Sequence, residues 1–304
     1  MAPSARAAAR QTIPVRIWVM AARPRTLPAA VAPVLVGTAL AGSEGEFRPL
    51  AFAAALVASV FIQVGTNLSN DYSDARRGAD TEERLGPVRV TAGGLVPPRK
   101  VLVATWLAFA IAVAAGAYLI ALVGWELLAI GAASILAGIL YTGGPRPYGY
   151  EGLGEVFVFL FFGVVAVTGS YYVQTEDLSG LALALSVPVG LLAAGVLLVN
   201  NIRDVDTDRR AGKRTLVVRL GRDRARRVFA AVVVLAFAVV AVVAATDGRP
   251  EVLLVLLCAP LLPPLLRTVS TRTDGPSLNA ALARCGVLLG IFSLLLSAGL
   301  LLSG

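Results

Sequence analysis

The sequence has no histidine, only two cysteines and few charged side chains. The absence of histidine excludes a histidine-ligated metal site and a Ser-His-Asp catalytic triad. Cys258 and Cys285 are too few for a four-cysteine zinc site, and both lie within apolar runs, so we predict that they pack in the core. Any metal site in this chain must therefore use oxygen ligands.

Charged residues make up only 15% of the chain, whereas hydrophobic residues make up 57%, and the mean hydropathy is +0.77. Soluble domains carry about 25% charged residues, so this composition predicts an all-α, polytopic membrane helix bundle. The length of 304 residues suits one bundle, and we expect a single domain over residues 1–304. Residues 1–17 form a short basic segment without the apolar run of a cleavable signal peptide.

The apolar runs divide into nine candidate transmembrane helices, each near the roughly 20 residues that cross a bilayer. The first and the eighth each contain three prolines, so we expect both helices to kink. The nine predicted spans cover residues 23–42, 50–70, 101–122, 125–142, 155–173, 181–201, 226–246, 251–268 and 280–302.

The basic residues are distributed very unevenly between the two sides of these spans. Of the 27 lysines and arginines, 25 fall on one side, and only Arg48 and Arg249 fall on the other. The positive-inside rule therefore predicts a cytosolic N-terminus and, for nine spans, an outside C-terminus. This orientation in the cell membrane also explains the net charge of +8, so we expect a lipid bilayer as partner and no nucleic acid.

A first polar cluster closes the second predicted span. Asn67, Asn70, Asp71 and Asp74 are spaced i, i+3, i+4 and i+7, which places them on one face of a helix. Carboxylates at the end of an apolar helix are costly, and in membrane proteins they usually mark a functional site. The cluster begins a long loop on the predicted cytosolic side.

A second polar cluster closes the sixth predicted span in the same way. Asn200, Asp204 and Asp208 share a helix face, whereas Asp206 points elsewhere and is expected to be solvated. Both clusters contain the pattern Asn-x-x-x-Asp, and both begin long cytosolic loops. The alternative is that these carboxylates form salt bridges with loop arginines, but the repetition of the pattern favours a shared site.

Two facing helices with these clusters would present only hard oxygen ligands. Mg²⁺ prefers such ligands and usually binds through carboxylates together with substrate phosphates. We therefore predict a Mg²⁺ site at the cytosolic helix ends. Its candidate ligands are Asn67, Asn70, Asp71, Asp74, Asn200, Asp204 and Asp208.

Basic residues near the two clusters indicate the substrate that the metal would share. Carboxylates, Mg²⁺ and a ring of basic side chains together bind diphosphates, and an apolar interior behind them suits a polyprenyl diphosphate. Each basic residue taken alone is also compatible with a membrane-surface anchor. The candidate diphosphate-binding residues are Arg23, Arg76, Arg146, Arg203 and Lys213.

At these residues the sequence resembles the UbiA superfamily of membrane prenyltransferases over about residues 18–302. The family pairs the motifs Asn-Asp-x-x-Asp and Asp-x-x-x-Asp on nine helices, and here they read Asn70 to Asp74 and Asp204 to Asp208. Many members carry a further Asp where this chain has Gly78, and Asp80 is a possible substitute. The loop of residues 75–100 is either a lid over the site or a basic surface loop.

Three segments are most similar to the 1,4-dihydroxy-2-naphthoate polyprenyltransferases of menaquinone synthesis, namely residues 67–74, 141–155 and 200–216. The resemblance implies that Asp71, Asp74, Asp204 and Asp208 hold Mg²⁺ against the diphosphate. It also implies that the allylic cation, flanked by Tyr72 or Tyr141, is attacked by the naphthoate with loss of CO₂.

Other functions fit the sequence less well. A 4-hydroxybenzoate or homogentisate acceptor would keep the same family and the same chemistry at the diphosphate. A cation-coupled transporter would carry its charges near the membrane midplane, whereas these carboxylates lie at helix ends. A CDP-alcohol phosphatidyltransferase would need a signature that this chain lacks.

Overall fold

The structure, a computed structural model, describes residues 13–79 and 85–304, and within these ranges every regular element is a helix. The predicted all-α membrane bundle is confirmed. The helices are α1 (Val15–Ala22), α2 (Pro28–Ser43), α3 (Pro49–Arg76), α4 (Pro98–Val123), α5 (Glu126–Leu140), α6 (Gly154–Thr175), α7 (Gly180–Arg210), α8 (Leu216–Leu220), α9 (Arg222–Asp247), α10 (Pro250–Thr271) and α11 (Gly275–Leu302).

Among the described residues, seven helices are long and apolar enough to cross a membrane, and the bent pair α1 and α2 would make an eighth. The remaining predicted span corresponds to α5, which has only 15 residues. At 1.5 Å per residue this helix is about 22 Å long, shorter than the hydrocarbon core of a bilayer. The expected nine segments are therefore all helical, but two of them differ from simple spans.

The first predicted span begins earlier and breaks where the sequence places prolines. Helix α1 ends at Ala22, and the axis turns by 54° before α2 begins at Pro28. Arg23 at the break adopts a left-handed conformation with φ of 54°, which is uncommon for a residue with a side chain. The side-chain amide of Asn67 donates to the Ala22 carbonyl at 2.9 Å, so α3 supplies a partner that the broken helix lacks.

Two further helices depart from α-helical geometry. Residues Phe159–Val165 of α6 form a π-helical segment, and Pro250–Leu261 of α10 form a 3₁₀ segment that contains Pro260. The π segment crosses α7 very closely, since a Cβ on Gly163 would lie 2.6 Å from the Cα of Gly190. Short π segments often occur at functional sites, and this one borders the cavity described below.

Helix α7 is the most buried span of the bundle, and its neighbours surround it. The C-terminal ends of α3 and α7 and the N-terminal end of α11 meet at one end of the bundle, where Arg203 of α7 contacts Asn279 of α11. Asn279 in turn donates to the backbone carbonyl of Leu85. Both polar clusters of the sequence are thus brought to the same end.

Candidate active site

A cavity of about 700 Å³ lies inside the bundle, with a polar mouth and an apolar interior. Three carboxylates line the mouth, from Asp74 at the end of α3 and from Asp204 and Asp208 at the end of α7. Apolar side chains of α4, α5 and α6 line the remainder, including Leu119, Ile135 and Phe161. Charged groups are therefore confined to one end of an otherwise apolar cavity.

Asp74 is almost fully buried and is surrounded by donors. The Tyr150 hydroxyl donates to Oδ1 at 2.5 Å, and the Arg89 guanidinium donates to Oδ2 at 3.1 Å. The Lys213 ammonium lies 3.7 Å from the same Oδ2. Asp74 and these three groups all line the cavity. Through Arg89 and Lys213, Asp74 connects the loop that follows α3 with the loop that follows α7.

Lys213 lies between the two polar clusters. Its Nζ is 3.7 Å from Asp74 and 3.9 Å from Asp208, and it lies over the Tyr150 ring at 4.7 Å. One positive charge thus already reaches a carboxylate from each cluster. The two motifs are close enough to act on the same bound group.

Asp204 is held by its immediate neighbour in the chain. The guanidinium of Arg203 donates to both carboxylate oxygens, at 2.8 and 2.5 Å. Arg203 also donates to Asn200 at 2.9 Å and to Asn279 at 2.7 Å. Arg203 is 1% exposed and does not line the cavity, so this structure gives it a positioning contact rather than a diphosphate contact.

Asp71 faces away from the cavity that Asp74 lines. Its Oδ1 accepts from the backbone N–H of Thr91 at 2.8 Å, and its Oδ2 accepts from the N–H of Val90 at 3.0 Å. These bonds fix the segment that carries Arg89 into the site. The predicted role of Asp71 as a metal ligand stays a prediction, whereas its contact with the loop is direct.

The amides of the predicted ligand set also make specific contacts. Asn67, Asn70 and Asn200 all line the cavity. Asn67 donates to the helix break, Asn70 accepts from the Thr142 hydroxyl at 2.9 Å, and Asn200 accepts from Arg203. Asn67 and Asn70 thus link α3 to neighbouring segments, whereas Asn200 contacts a residue of its own helix.

Of the five predicted diphosphate-binding residues, two line the cavity and three, including the buried Arg203, do not. Arg23 and Lys213 line the cavity. Arg146 and Arg76 are exposed outside it, and Arg76 donates to the Tyr72 hydroxyl at 3.1 Å. The sequence could not separate them, because whether a loop arginine turns inward depends on the packing of the loop.

The two candidate tyrosines also differ. Tyr141 lines the cavity, whereas Tyr72 packs with Leu68 and Val90 outside it. Tyr141 continues into an aromatic column, since its ring contacts Tyr148 at 5.5 Å between centroids and Tyr148 stacks on Phe157 at 4.0 Å. Burial raises the pKa of Tyr148, so its phenol stays protonated and donates to the Ala137 carbonyl at 2.9 Å.

Three residues at the site, Arg89, Tyr150 and Glu155, were not predicted from the sequence. Arg89 and Tyr150 contact Asp74, and Glu155 accepts from the amide of Asn201. Arg89 and Tyr150 lie between predicted spans, and Glu155 is the first residue of one. None of the three belongs to a regularly spaced motif. The buried glutamate at the start of an apolar helix was the one signal that could have been used.

The donor set fits a divalent metal that is shared with a substrate. Within residues 13–79 and 85–304, no group of three or more acidic, histidine or cysteine side chains is gathered closely enough to hold a metal alone. The three carboxylates of the mouth nevertheless face one cavity, and they offer only hard oxygens. Such an open set suits a metal whose coordination is completed by phosphate oxygens and water. The alternative acidic residue Asp80 lies outside the described residues.

Comparison with known proteins relates the chain to one family. Residues 30–284 match the model of the UbiA prenyltransferase family. The 1,4-dihydroxy-2-naphthoate octaprenyltransferase of Mycobacterium leprae is 39% identical over 290 residues, which cover 94% of this chain and 97% of that protein. The 1,4-dihydroxy-2-naphthoate octaprenyltransferase of Escherichia coli K12 is 42% identical over 216 residues, which cover 69% and 70%.

Solved structures share the fold at low sequence identity. A UbiA homolog from Archaeoglobus fulgidus, bound to GPP and Mg²⁺, superposes with a TM-score of 0.66 at 17% identity and covers 93% of this chain and 99% of its own. A UbiA homolog from Aeropyrum pernix K1 gives the same TM-score at 18% identity, with 96% and 98% covered. These similarities support the helical architecture.

Proposed function

The chain belongs to the UbiA prenyltransferase family, and from this premise we propose that it transfers a polyprenyl group from polyprenyl diphosphate to 1,4-dihydroxy-2-naphthoate. The products are demethylmenaquinol, CO₂ and diphosphate. The observation that carries the proposal is the cavity, which joins a carboxylate and basic mouth to an apolar chamber. The naphthoate acceptor rests on the relatives from Mycobacterium leprae and Escherichia coli.

The mouth of the cavity would bind the diphosphate. Asp74, Asp204 and Asp208 would hold Mg²⁺, which when bound neutralises the diphosphate charge. Lys213 and Arg23 would stabilise the negative charge that develops on the leaving group. The prediction that Asp71 is also a ligand requires its carboxylate to turn away from the Val90 and Thr91 amides.

The chamber behind the mouth would protect the reaction. The allylic C–O bond breaks with its electron pair going to diphosphate, and the aromatic carbon supplies the pair for the new C–C bond. The bond from that carbon to the carboxylate then breaks and returns its pair to the ring as CO₂ leaves. Apolar walls exclude water from the allylic cation, and the Tyr141 ring offers it a π face.

We also propose that the mouth faces the cytosol across the cell membrane. The arginine-rich segments, residues 209–227 and the loop around Arg89, lie at the same end of the bundle as the three carboxylates. The positive-inside rule assigns this end to the cytosol. A soluble dihydroxynaphthoate would then reach the mouth directly, while the polyprenyl chain stays in the lipid.

The experiment is a transfer assay on the purified protein in nanodiscs. A polyprenyl diphosphate is supplied with either 1,4-dihydroxy-2-naphthoate or 4-hydroxybenzoate, with Mg²⁺ or with EDTA, and products are analysed by mass. We expect a prenylated, decarboxylated naphthol that forms only with Mg²⁺. Product from the benzoate alone would keep the family and refute the acceptor, and product in EDTA would refute the metal.

A further inference from the structure

A polar network lies beside the break between α1 and α2, deeper in the cavity than the carboxylates. It consists of Thr26, which follows the break, and of Gln63 and Asn67, which are one turn apart on α3, and all three line the cavity. At 1.5 Å per residue, Gln63 lies about 16 Å deeper than Asp74 along α3. The network therefore borders the apolar chamber rather than the mouth.

The Thr26 hydroxyl fixes the direction of the Gln63 amide. Thr26 donates its single proton to the Arg23 carbonyl at 3.0 Å, so its oxygen can only accept from other groups. It accepts from the NH₂ groups of Gln63 and Asn67, each at 3.2 Å. Because the NH₂ group of Gln63 is turned toward the break, its side-chain oxygen Oε1 points away from the break. Asn67 is turned in the same way, and its oxygen stays a predicted metal ligand.

Gln63 Oε1 is an open hydrogen-bond acceptor in a largely apolar part of the cavity. The residue is only 8% exposed, and Oε1 accepts no hydrogen bond from the described residues, yet the atom is not enclosed, so it faces the cavity. Ser59, one turn deeper, does not serve it, because its hydroxyl donates to the Ala30 carbonyl at 2.7 Å. An amide oxygen that loses water without gaining a donor is unfavourable, so a ligand that fills this region should bring a donor.

The aromatic acceptor is the reactant that carries such a donor. The polyprenyl chain has no polar hydrogen, and a metal-bound diphosphate offers only accepting oxygens, whereas the hydroxyl groups of the acceptor can donate. We therefore propose that Gln63 recognises the acceptor, with Oε1 accepting a hydrogen bond from one of its hydroxyl groups and Thr26 holding the amide in that direction. This inference rests on the proposed function and adds a specificity-determining residue to it.

The charge at the helix break selects the hydroxyl that reaches Gln63. Arg23 lines the cavity from the break, and its positive charge attracts the carboxylate of 1,4-dihydroxy-2-naphthoate. The 1-hydroxyl is adjacent to that carboxylate, whereas the 4-hydroxyl lies across the ring from the 1-hydroxyl. The 4-hydroxyl is therefore the group directed deeper into the chamber, toward Gln63.

The first test measures acceptor binding in the absence of polyprenyl diphosphate and Mg²⁺. Equilibrium dialysis in nanodiscs compares 1,4-dihydroxy-2-naphthoate with 1-hydroxy-2-naphthoate, which lacks only the 4-hydroxyl, and empty nanodiscs correct for partition into lipid. We expect the wild type to bind the analogue about tenfold more weakly, and Gln63→Leu, which removes the accepting oxygen, to bind both compounds with the same Kd. The ratio of the two Kd values is independent of the fraction of folded protein, so it separates recognition from stability.

The matched control is Gln174→Leu, which removes a buried amide outside the cavity. Gln174 lies at the opposite end of the bundle, where its side-chain oxygen accepts from the backbone N–H of Arg48 at 2.6 Å. This variant should keep the wild-type ratio of Kd values. Thr26→Val leaves Gln63 in place but releases its amide, so we expect an intermediate ratio of about threefold.

Two results would overturn the inference. A wild type that binds both naphthoates equally would show that water serves Oε1, and a Gln63→Leu variant that keeps the wild-type preference would show that the 4-hydroxyl binds elsewhere. The proposed function fails separately, if the wild type transfers no prenyl group to the naphthoate. If the wild type prenylates 4-hydroxybenzoate instead, whose hydroxyl also lies across the ring from its carboxylate, the same dialysis with 4-hydroxybenzoate and benzoate decides the role of Gln63.

Discussion

Asp71 and Asp74 are three residues apart on α3, yet their carboxylates face different neighbours. Asp74 lies in the cavity with Tyr150 and Lys213, whereas Asp71 accepts from two backbone amides of the loop that carries Arg89. Substitutions at the two positions should therefore have different effects on activity and on stability. Asp206, in the second motif, is exposed and offers a matched carboxylate outside the cavity.

We expect Asp74→Asn to reduce kcat/KM by about 100-fold or more, because it removes a carboxylate from the group that would hold the metal and diphosphate. Asp71→Asn should reduce activity together with thermal stability, since one of its two backbone hydrogen bonds is lost. The measurements are transfer rates over a Mg²⁺ titration and melting in detergent. Asp206→Asn should leave both unchanged, and loss of activity in that variant would contradict the assignment of roles.

Arg203 is the most constrained charged residue of the site. Its guanidinium contacts Asp204, Asn200 and Asn279 and is 1% exposed, so no contact can be replaced by water. Removing one partner of a buried ion pair typically costs about 3–5 kcal/mol. We expect Arg203→Met to lower the unfolding free energy by that order.

The control for Arg203 is Arg209, which follows on the same helix. Arg209 is exposed and lies 3.7 Å from Asp206, so Arg209→Met should change stability by less than about 0.5 kcal/mol. Chemical unfolding in detergent measures both variants. Similar losses of stability in the two variants would indicate that the buried Arg203–Asp204 ion pair stabilises the protein no more than the exposed Arg209–Asp206 pair.

At the scale of elements, the sequence predicted the clustering of polar groups better than the shapes of the helices. The end of the second apolar run correctly predicted that Asn67, Asp71 and Asp74 lie toward the C-terminal end of a helix, because the limit of an apolar run is a local property of the sequence. Whether each side chain faces the cavity or a loop depends on contacts from distant segments. The Val90 and Thr91 amides that bind Asp71 are an example.

The irregular parts of the helices were likewise predicted only where their cause is local in the sequence. Prolines predicted a disturbance in the first span, but they did not predict that Asn67 of another helix donates a hydrogen bond at the break. The π segment of α6 has no proline and was not predicted. It coincides with the close crossing at Gly163 and Gly190, which is a tertiary contact.

The crossing of α6 and α7 should be intolerant of added volume. A Cβ at Gly163 would lie 2.6 Å from the Cα of Gly190 and 2.8 Å from the Ser186 carbonyl oxygen, both of which are backbone atoms. We expect Gly163→Ala to destabilise the protein by about 1–3 kcal/mol, because the helices must separate. Gly169, on the same helix, has no atom within 4 Å of an added Cβ, so Gly169→Ala should melt like the wild type. A stable Gly163→Ala variant would show that the close crossing is not required.

At the scale of the whole molecule, the two ends of the bundle differ in charge and chemistry. The cavity end gathers the carboxylates and the basic loops, and the opposite end is tied by contacts such as Arg48 to Glu176 at 2.7 Å. The sequence predicted this polarity from its charges, and the fold supports it by placing both motifs together. The orientation in the membrane and the single domain over residues 1–304 stay predictions.

Cysteine labelling in intact cells can test the orientation with little background, because Cys258 and Cys285 are both buried. Glu46 is exposed at the end opposite the cavity, and Arg146 is exposed at the cavity end. Since basic loops stay in the cytosol, we expect Glu46→Cys to react with a membrane-impermeant maleimide in whole cells. Arg146→Cys should react only after permeabilisation. The reverse pattern would place the cavity mouth outside the cell, where a diphosphate substrate made in the cytosol could not reach it directly.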